Sequence, residues 1–397
     1  VFLYIFSNQF FLSSFIDLLW QKVIPWFADL IGHTPEITTF ANGSGDTTYN
    51  YYQILFFAIV SLVLAIGIAL IDRERKNYRT ALSWLTILIR YYLAYQMIAY
   101  GMAKLFGMQF GSPTDAQLSQ ELGDFSPMGL LWIFMSFSKE YSIFTGALEI
   151  IAGILLLNRY TTTLGALASF GVMLNVMMLN FCYDVPVKIL STHLVILSII
   201  LIALDAKRLT SIFFSNRSVD AYAFDEVLPK KYRKIIRIIK WMFIVGFFSL
   251  SFYQTNQFKK KYDSKDFEPL FRGRYEVVSF ERKPSIADTV KSGKKRTEKW
   301  LTFEHRNEGT ASIKTSFGHK YRYGFIPDTL NKVVRMKING VLESQNLQYE
   351  LLDSNRVRLY GLYEADTLDI VMKKQDSSDR LLINRGFHWV NEFPFNR

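Results

Sequence analysis

Seven apolar stretches, near residues 1–20, 50–71, 81–106, 139–157, 163–181, 187–204 and 238–255, alternate with short polar loops, and no other feature limits the fold as much. Each is close to the roughly 20 residues that an α-helix needs to cross about 30 Å of hydrocarbon. The loops differ sharply in positive charge. Loops 72–79, 158–163 and 205–236 together hold twelve Lys/Arg, whereas loops 32–49, 109–126 and 182–188 hold one. Because Lys and Arg near span ends stay on the cytoplasmic side, the first set is predicted to be cytoplasmic. The N-terminus lies on that side too, and the chain after about 256 is extracytoplasmic. The expected location is a bacterial inner membrane, crossed several times, with a periplasmic C-terminal domain. Residues 1–12 (VFLYIFSNQFFL) read as the remainder of a first membrane helix, since no Ala-x-Ala-like cleavage site follows them.

Two shorter apolar segments read differently. Residues 15–31 combine helical spacing with Trp20, Trp26, Lys22 and Pro25, the composition of a helix lying at the interface. Residues 128–137 are too short to span. Gly146, Gly153, Gly165 and Gly171 fall on the fourth and fifth segments, where small residues let helices approach closely in lipid.

Beyond 256 the character of the chain changes. Residues 256–397 carry 27 Lys/Arg against 19 Asp/Glu, within a chain of net charge +11. Placed outside the cytoplasm, this basic half has no nucleic acid to meet; it reads either as a solvated basic surface or as one that attracts anionic lipid headgroups or an acidic protein. The hydrophobic period becomes two: GRYEVVSFE, EKWLTFE, TASIKTS, KYRYGF, KVVRMKI, LQYELLD, RVRLYGLY, DTLDIVMKK and RLLIN are each read as strands alternating apolar and polar. Eight or nine short strands at this spacing predict one antiparallel barrel or sandwich. The opening FRGRYEVVSF resembles the first strand of lipocalin-like barrels, and the ending RGFHWVNEFPF is expected to pack across a barrel end. The predicted division is 1–79 (N-terminal membrane helices and outer loop), 80–208 (four-helix membrane bundle), 209–236 (basic linker), 237–255 (last span) and 256–397 (extracytoplasmic β domain).

Several chemistries are excluded or lack a motif. The single cysteine, Cys182, rules out an internal disulfide and Cys-based zinc sites, and reads as a small apolar filler. No HxxH or carboxylate–His spacing on one helix suggests a metal, so none is expected. No GxSxG or P-loop is present.

Polar residues inside spans are costly and usually face a bundle interior. Gln96, Tyr100 and Lys104 recur every four residues and share one helix face, with Arg90 about 40° from Lys104 around the helix at ~100° per residue. The alternating directions of the spans place Lys104, Glu149 and His193 in the outer half of the membrane. Asn175 falls near the middle of its span, and Asn180 and Asp184 at the outer end. Two readings stand side by side: an ion pair with hydrogen-bonding neighbours that fixes helix register, or a site open to the outer face. In the second, Lys104, Glu149 and His193 are the candidate catalytic groups. Lys104 would hold an anionic or carbonyl group, and Glu149 and His193 would move protons. Arg90, Tyr100, Asn175, Asn180 and Asp184 are candidate ligand contacts.

Residues 80–208 resemble the DoxX-like family of four-helix membrane proteins. The resemblance is carried by Arg90-Tyr91-Tyr92, by Tyr100-Gly101-Met102-Ala103-Lys104-Leu105, and by Thr145-Gly146-Ala147-Leu148-Glu149 with Gly153. The family pattern is an Arg early in the first helix, a Gly-x-x-Lys near its end and a Gly-x-x-Glu in the next. With SGDTTYNY, GDFSPMGLLW, TTTLGAL and DVPVK, the whole chain is similar to larger, Bacteroidetes-type members that carry a C-terminal β domain. The resemblance implies a component of an oxidoreductase, quinone-linked or envelope-stress complex, with a quinone or a lipid as ligand. Its partners would be the bilayer and membrane or periplasmic proteins. The absence of a cysteine pair departs from the thiol-active members. Two alternatives remain open: a non-enzymatic assembly scaffold whose β domain binds a partner or lipid, and a membrane-embedded transferase, similar to vitamin-K-dependent carboxylase-like enzymes. The residues do not decide whether the chain is an enzyme.

Overall fold

The computed structural model describes residues 13–33, 46–75, 77–219, scattered helical positions between 234 and 257, 271, 273–283, 298–307, 309–338, 344–363, 366–376, 380–386, 388 and 390. The chain divides into two compact units. One comprises Val1–Ser112 and Phe125–Thr255; the other comprises Pro113–Asp124 and Asn256–Arg397.

The first unit is helical: α1 (Ser13–Leu30), α2 (Thr48–Ile71), α3 (Arg79–Leu105), α5 (Pro127–Phe137), α6 (Lys139–Leu157), α7 (Thr162–Cys182), α8 (Lys188–Ala203) and α9 (Ala206–Phe213). The four-residue helix α4 (Asp115–Leu118) belongs to the second unit. Helices α2, α3, α6, α7 and α8 fall on five of the seven expected apolar segments. The first segment lies outside the described residues up to 12, and its remainder continues into α1 without a break at 20. The seventh is described only at isolated helical positions.

By length and composition three described helices can cross a membrane, α2, α6 and α7, and a fourth span results if α8 and α9, bent by 75°, are taken together. Helix α3 has 27 residues, long enough at ~1.5 Å per residue, but its Arg90, Gln96, Lys104 and four tyrosines lower its hydropathy. Helix α2 makes the membrane argument most directly. Leu62, Val63, Leu64, Ile66, Ile68, Leu70 and Ile71 are all more than half exposed. In water such an all-round apolar surface would aggregate; in hydrocarbon it is the ordinary exterior. A Thr47–Asn50 capping box starts this helix, and Trp20 of α1 packs edge-on against Phe57 at 5.0 Å.

The packed heart of the bundle is α3 against α6, with α7 and α8 completing the core around Leu93, Met97, Leu156, Met173 and Leu197. Two glycines allow the α3–α6 approach. A Cβ on Gly101 would come within 2.6 Å of the Gly146 carbonyl oxygen, and a Cβ on Gly146 within 2.7 Å of the Gly101 carbonyl oxygen. No L side chain fits at either position without moving a helix. Gly153 and Gly165 make similar close approaches, whereas Gly171 faces open space, so the expected glycine seam omits that residue.

In the second unit, β1 (Gly273–Lys283), β2 (Trp300–Asn307), β3 (Gly309–Thr315), β4 (Lys320–Asp328), β5 (Val333–Ile338), β6 (Ser344–Leu351), β7 (Arg356–Tyr363) and β8 (Asp366–Lys374) form a closed antiparallel barrel in sequence order. Strand β1 closes it, pairing with β2 through residues 273–276 and with β8 through 275–283, around a bulge between Val277 and Ser279. Alternation sends Phe303, Ile313, Phe325, Val334, Leu347, Leu359 and Ile370 inward, with Phe271 beside them, and all are fully buried. An eight-stranded barrel is just wide enough for side chains to fill. The ninth expected strand, RLLIN, is instead the short helix α10 (Leu381–Asn384). With β1 bonded on both sides the barrel has no free edge for a ninth strand, and Leu381, Leu382 and Ile383 are consecutive rather than alternating. Arg380 binds the carbonyl of Leu118 (2.6 Å) and the hydroxyl of Ser119, joining residues 113–124 to this unit. The closing aromatic segment lies largely outside the described residues.

Two expectations follow. Gly146→Val should lower the melting temperature of the full chain in detergent by an amount matching about 1–3 kcal/mol of overpacking, and Gly171→Val should leave it unchanged; equal behaviour of the two variants would contradict the close α3–α6 approach. The second concerns acid. Arg358 holds both carboxylate oxygens of Asp369 (2.9 and 2.6 Å), keeping that carboxyl below its ordinary 3.8. Hydrogen bonds from Thr315 and then His319 do the same for Glu298, whose ordinary value is 4.5. A depressed carboxyl stabilises the fold fully above its unfolded value and loses that contribution as pH falls through the folded value. The β transition of the full chain, followed by infrared spectroscopy, should therefore weaken as pH drops below about 4, and Asp369→Asn should flatten that dependence. A transition independent of pH in this range would contradict it.

Candidate functional site

The site begins with two matching tripeptide spacings. Gly101 precedes Lys104 by three residues on α3, and Gly146 precedes Glu149 by three on α6. Residues three apart lie on nearly the same helix face, so the glycines that bring the backbones together also aim the lysine and the carboxylate at each other. The Lys104 ammonium donates a hydrogen bond to Glu149 Oε1. Lys104 is 7% exposed and Glu149 1%. The second carboxylate oxygen, Glu149 Oε2, is buried and has no hydrogen-bond partner among the described residues.

Such a pair is expensive. Each ion loses several kcal/mol of hydration, which mutual attraction returns only with good geometry and further hydrogen bonds. Here half of the carboxylate's accepting capacity is unused. Tyr100, one turn before Lys104, lies within electrostatic reach of Glu149. One turn further back, Gln96 Nε2 donates to the Tyr92 hydroxyl at 2.9 Å. Tyr92, Gln96, Tyr100 and Lys104 thus make a polar ladder along one face of α3, and Tyr92 is a member the sequence reading missed. It could have been found by extending the four-residue spacing back from Gln96.

The other expected residues fall elsewhere. Arg90 shares the angular sector of Lys104 but lies fourteen residues away, roughly 21 Å along the axis at 1.5 Å per residue. Its guanidinium sits 5.1 Å over the Tyr91 ring, so it does not join the pair. Asn175 is exposed on the outer stripe of α7 with Gly171, Leu174 and Met178, not in the bundle interior. Asn180 is buried, and its amide donates to Ser191 Oγ at 3.0 Å, tying the end of α7 to the start of α8. Asp184 is 81% exposed, takes a left-handed φ of 51° in the turn, and pairs with Lys188 at 2.7 Å. His193 is half-buried on α8, with Nδ1 2.8 Å from the Ile189 carbonyl oxygen one turn earlier. The structure therefore joins Lys104 and Glu149 directly and gives Asn180 and Asp184 local structural partners. Cys182 is exposed rather than packed as a filler.

Two acidic groups escaped the sequence reading. Asp46 accepts hydrogen bonds from the backbone N–H groups of Lys188 (2.6 Å) and Ile189 (3.0 Å), capping the first turn of α8. Its partners are more than 140 residues away, so local sequence carries no sign of them. Asp205, 7% exposed, accepts from Thr163 Oγ1 at 2.8 Å and from Arg208 at 3.2 Å.

No protein-family model matches the chain, and no solved structure matches it. The chain is 34% identical over 124 residues to the uncharacterized protein YwoB of Bacillus subtilis (strain 168), a match covering 31% of this chain and 79% of that protein. On that identity and coverage, the chain belongs to the same family as YwoB.

Proposed function

We propose that the protein is a DoxX-like integral membrane component of a quinone-linked oxidoreductase or envelope-stress complex, with a polar site between α3 and α6 in the outer half of an inner membrane. The observation that carries this reading is Glu149 Oε2. A fully buried carboxylate oxygen without a hydrogen bond is costly, and a ligand hydroxyl or a shared proton would remove that cost. Lys104 supplies the cation for a carbonyl or anionic headgroup, and Tyr100 a phenol beside it. A quinone or lipid headgroup has this chemistry, and its tail suits the apolar surface around the helices. In this reading the seven spans place residues 72–79 and 205–236 in the cytoplasm and the barrel in the periplasm.

A second reading is also favoured by a specific observation. Lys104 and Glu149 satisfy each other's charge, and the barrel interior is filled by its own side chains. Both fit a non-enzymatic scaffold, in which the pair only sets helix register and the barrel's outer surface binds a partner.

Complementation of a deletion strain separates the two. As a site, Glu149→Gln and Lys104→Met should abolish complementation even when expression is raised until the folded variant matches wild-type membrane levels, and His193→Ala should do so if the histidine serves it. A quinone or lipid extracted with the purified protein should be lost from Glu149→Gln. Full complementation by all three variants at normal levels would remove the case for a ligand site in the bundle.

A further inference from the structure

We propose that the elbow between α8 and α9, together with the adjacent turn between α6 and α7, is a docking surface for the anionic headgroups of a phospholipid leaflet. The elbow is a built feature. Helix α9 leaves α8 at 75°, and the bend is held by Asp205, whose carboxylate accepts from Thr163 at the start of α7 and from Arg208 on α9. The same contact brings the α6–α7 turn beside the elbow, so both lie at one end of the bundle. That turn is itself fixed, with Thr161 Oγ1 donating to the Leu155 carbonyl at 2.7 Å.

The surface has two chemistries in one place. On α9, Leu209, Ile212 and Phe213 recur at the three- and four-residue spacing of one helix face. Phe213 is 69% exposed and Phe214 87%. Lys207 and Arg208 lie on the same helix, and Arg159, on the adjacent α6–α7 turn, has its guanidinium 4.9 Å over the ring of Tyr160, which is 70% exposed. Arg208 engages the buried Asp205, and Lys207 makes no ion pair among the described residues.

The position selects the occupant. A short helix turned across the end of the apolar helix α8, apolar on one side and basic on the other, matches a helix lying in the interfacial plane. There its aromatic residues enter the acyl boundary and its cations meet phosphate. Each Lys or Arg near an anionic surface strengthens attraction by about fivefold in binding constant. A purely zwitterionic leaflet would use the phenylalanines but give the exposed Lys207 no net negative charge to meet, so the fit is to acidic lipid. This surface is separate from the Lys104–Glu149 pair and does not rest on the function proposed for it.

The test uses the full chain with Cys182→Ser and Phe214→Cys, labelled at the new thiol with an environment-sensitive fluorophore. It is reconstituted in nanodiscs of phosphatidylcholine alone or of phosphatidylcholine with phosphatidylglycerol. The label should be quenched by brominated acyl chains and shielded from aqueous iodide. Shielding should be several-fold greater with phosphatidylglycerol, and raised salt should erase that difference without any further substitution. Adding Lys207→Glu and Arg159→Glu should bring the phosphatidylglycerol value down to that of phosphatidylcholine. A label equally open to iodide in both lipids would overturn the proposal, as would a phosphatidylglycerol preference that survives both charge reversal and high salt. Shielding that requires an added soluble protein would also overturn it, and would assign the surface to a protein partner.

Discussion

The Lys104–Glu149 ion pair across the α3–α6 seam is the interaction on which the helical unit depends. In the membrane setting proposed for it, hydrocarbon offers no hydrophobic drive between helices, so association relies on close packing and on polar groups that must find each other. This chain uses both at one point. Gly101 and Gly146 let the two backbones touch, and that contact places the charged residues three positions later within reach. Without the glycines the pair would be too far apart to compensate its own desolvation. Without the pair the glycine contact would have weaker reason to choose this register. The second oxygen of Glu149, without a hydrogen-bond partner among the described residues, is the reason a site is proposed there.

The barrel solves a different problem by a different route. In water its strands bury one face each, so the period of two is enforced and register is tightly set. Closure through the split pairing of β1 leaves no edge to aggregate. The interior is packed with aromatic and aliphatic side chains, which gives stability but leaves the outer surface and rims to meet any partner. Residues 113–124 belong to this unit although they are far from it in sequence, so the barrel's boundary in the chain is not its boundary in space.

How much of this was legible depended on how local the determining physics is. The eight strands could be read because burial of one face writes itself into alternating residues. RLLIN failed because three consecutive apolar residues imitate a short strand, and only the closed hydrogen-bond circuit excludes it. The Gly-x-x-Lys and Gly-x-x-Glu spacings marked the right pair. Arg90 was drawn toward the pair by angular agreement, since a helical wheel ignores the distance along the axis. Asn175 was taken as a candidate ligand contact because polar residues in spans usually face inward, but which face of α7 is covered depends on α6 and α8, not on α7. The Asp46 cap and the Asp205 elbow join residues far apart in sequence and leave no local trace.

The central claim, that Lys104 and Glu149 are a mutually dependent buried pair, is tested most directly by a double-mutant cycle on the full chain in detergent, read from the unfolding midpoint. Lys104→Met and Glu149→Gln should each destabilise by about 3–5 kcal/mol, because each leaves one buried group without its partner. The double variant should be no less stable than the worse single variant, giving a large coupling between the two positions. Single variants that are neutral, or penalties that simply add in the double variant, would contradict the account.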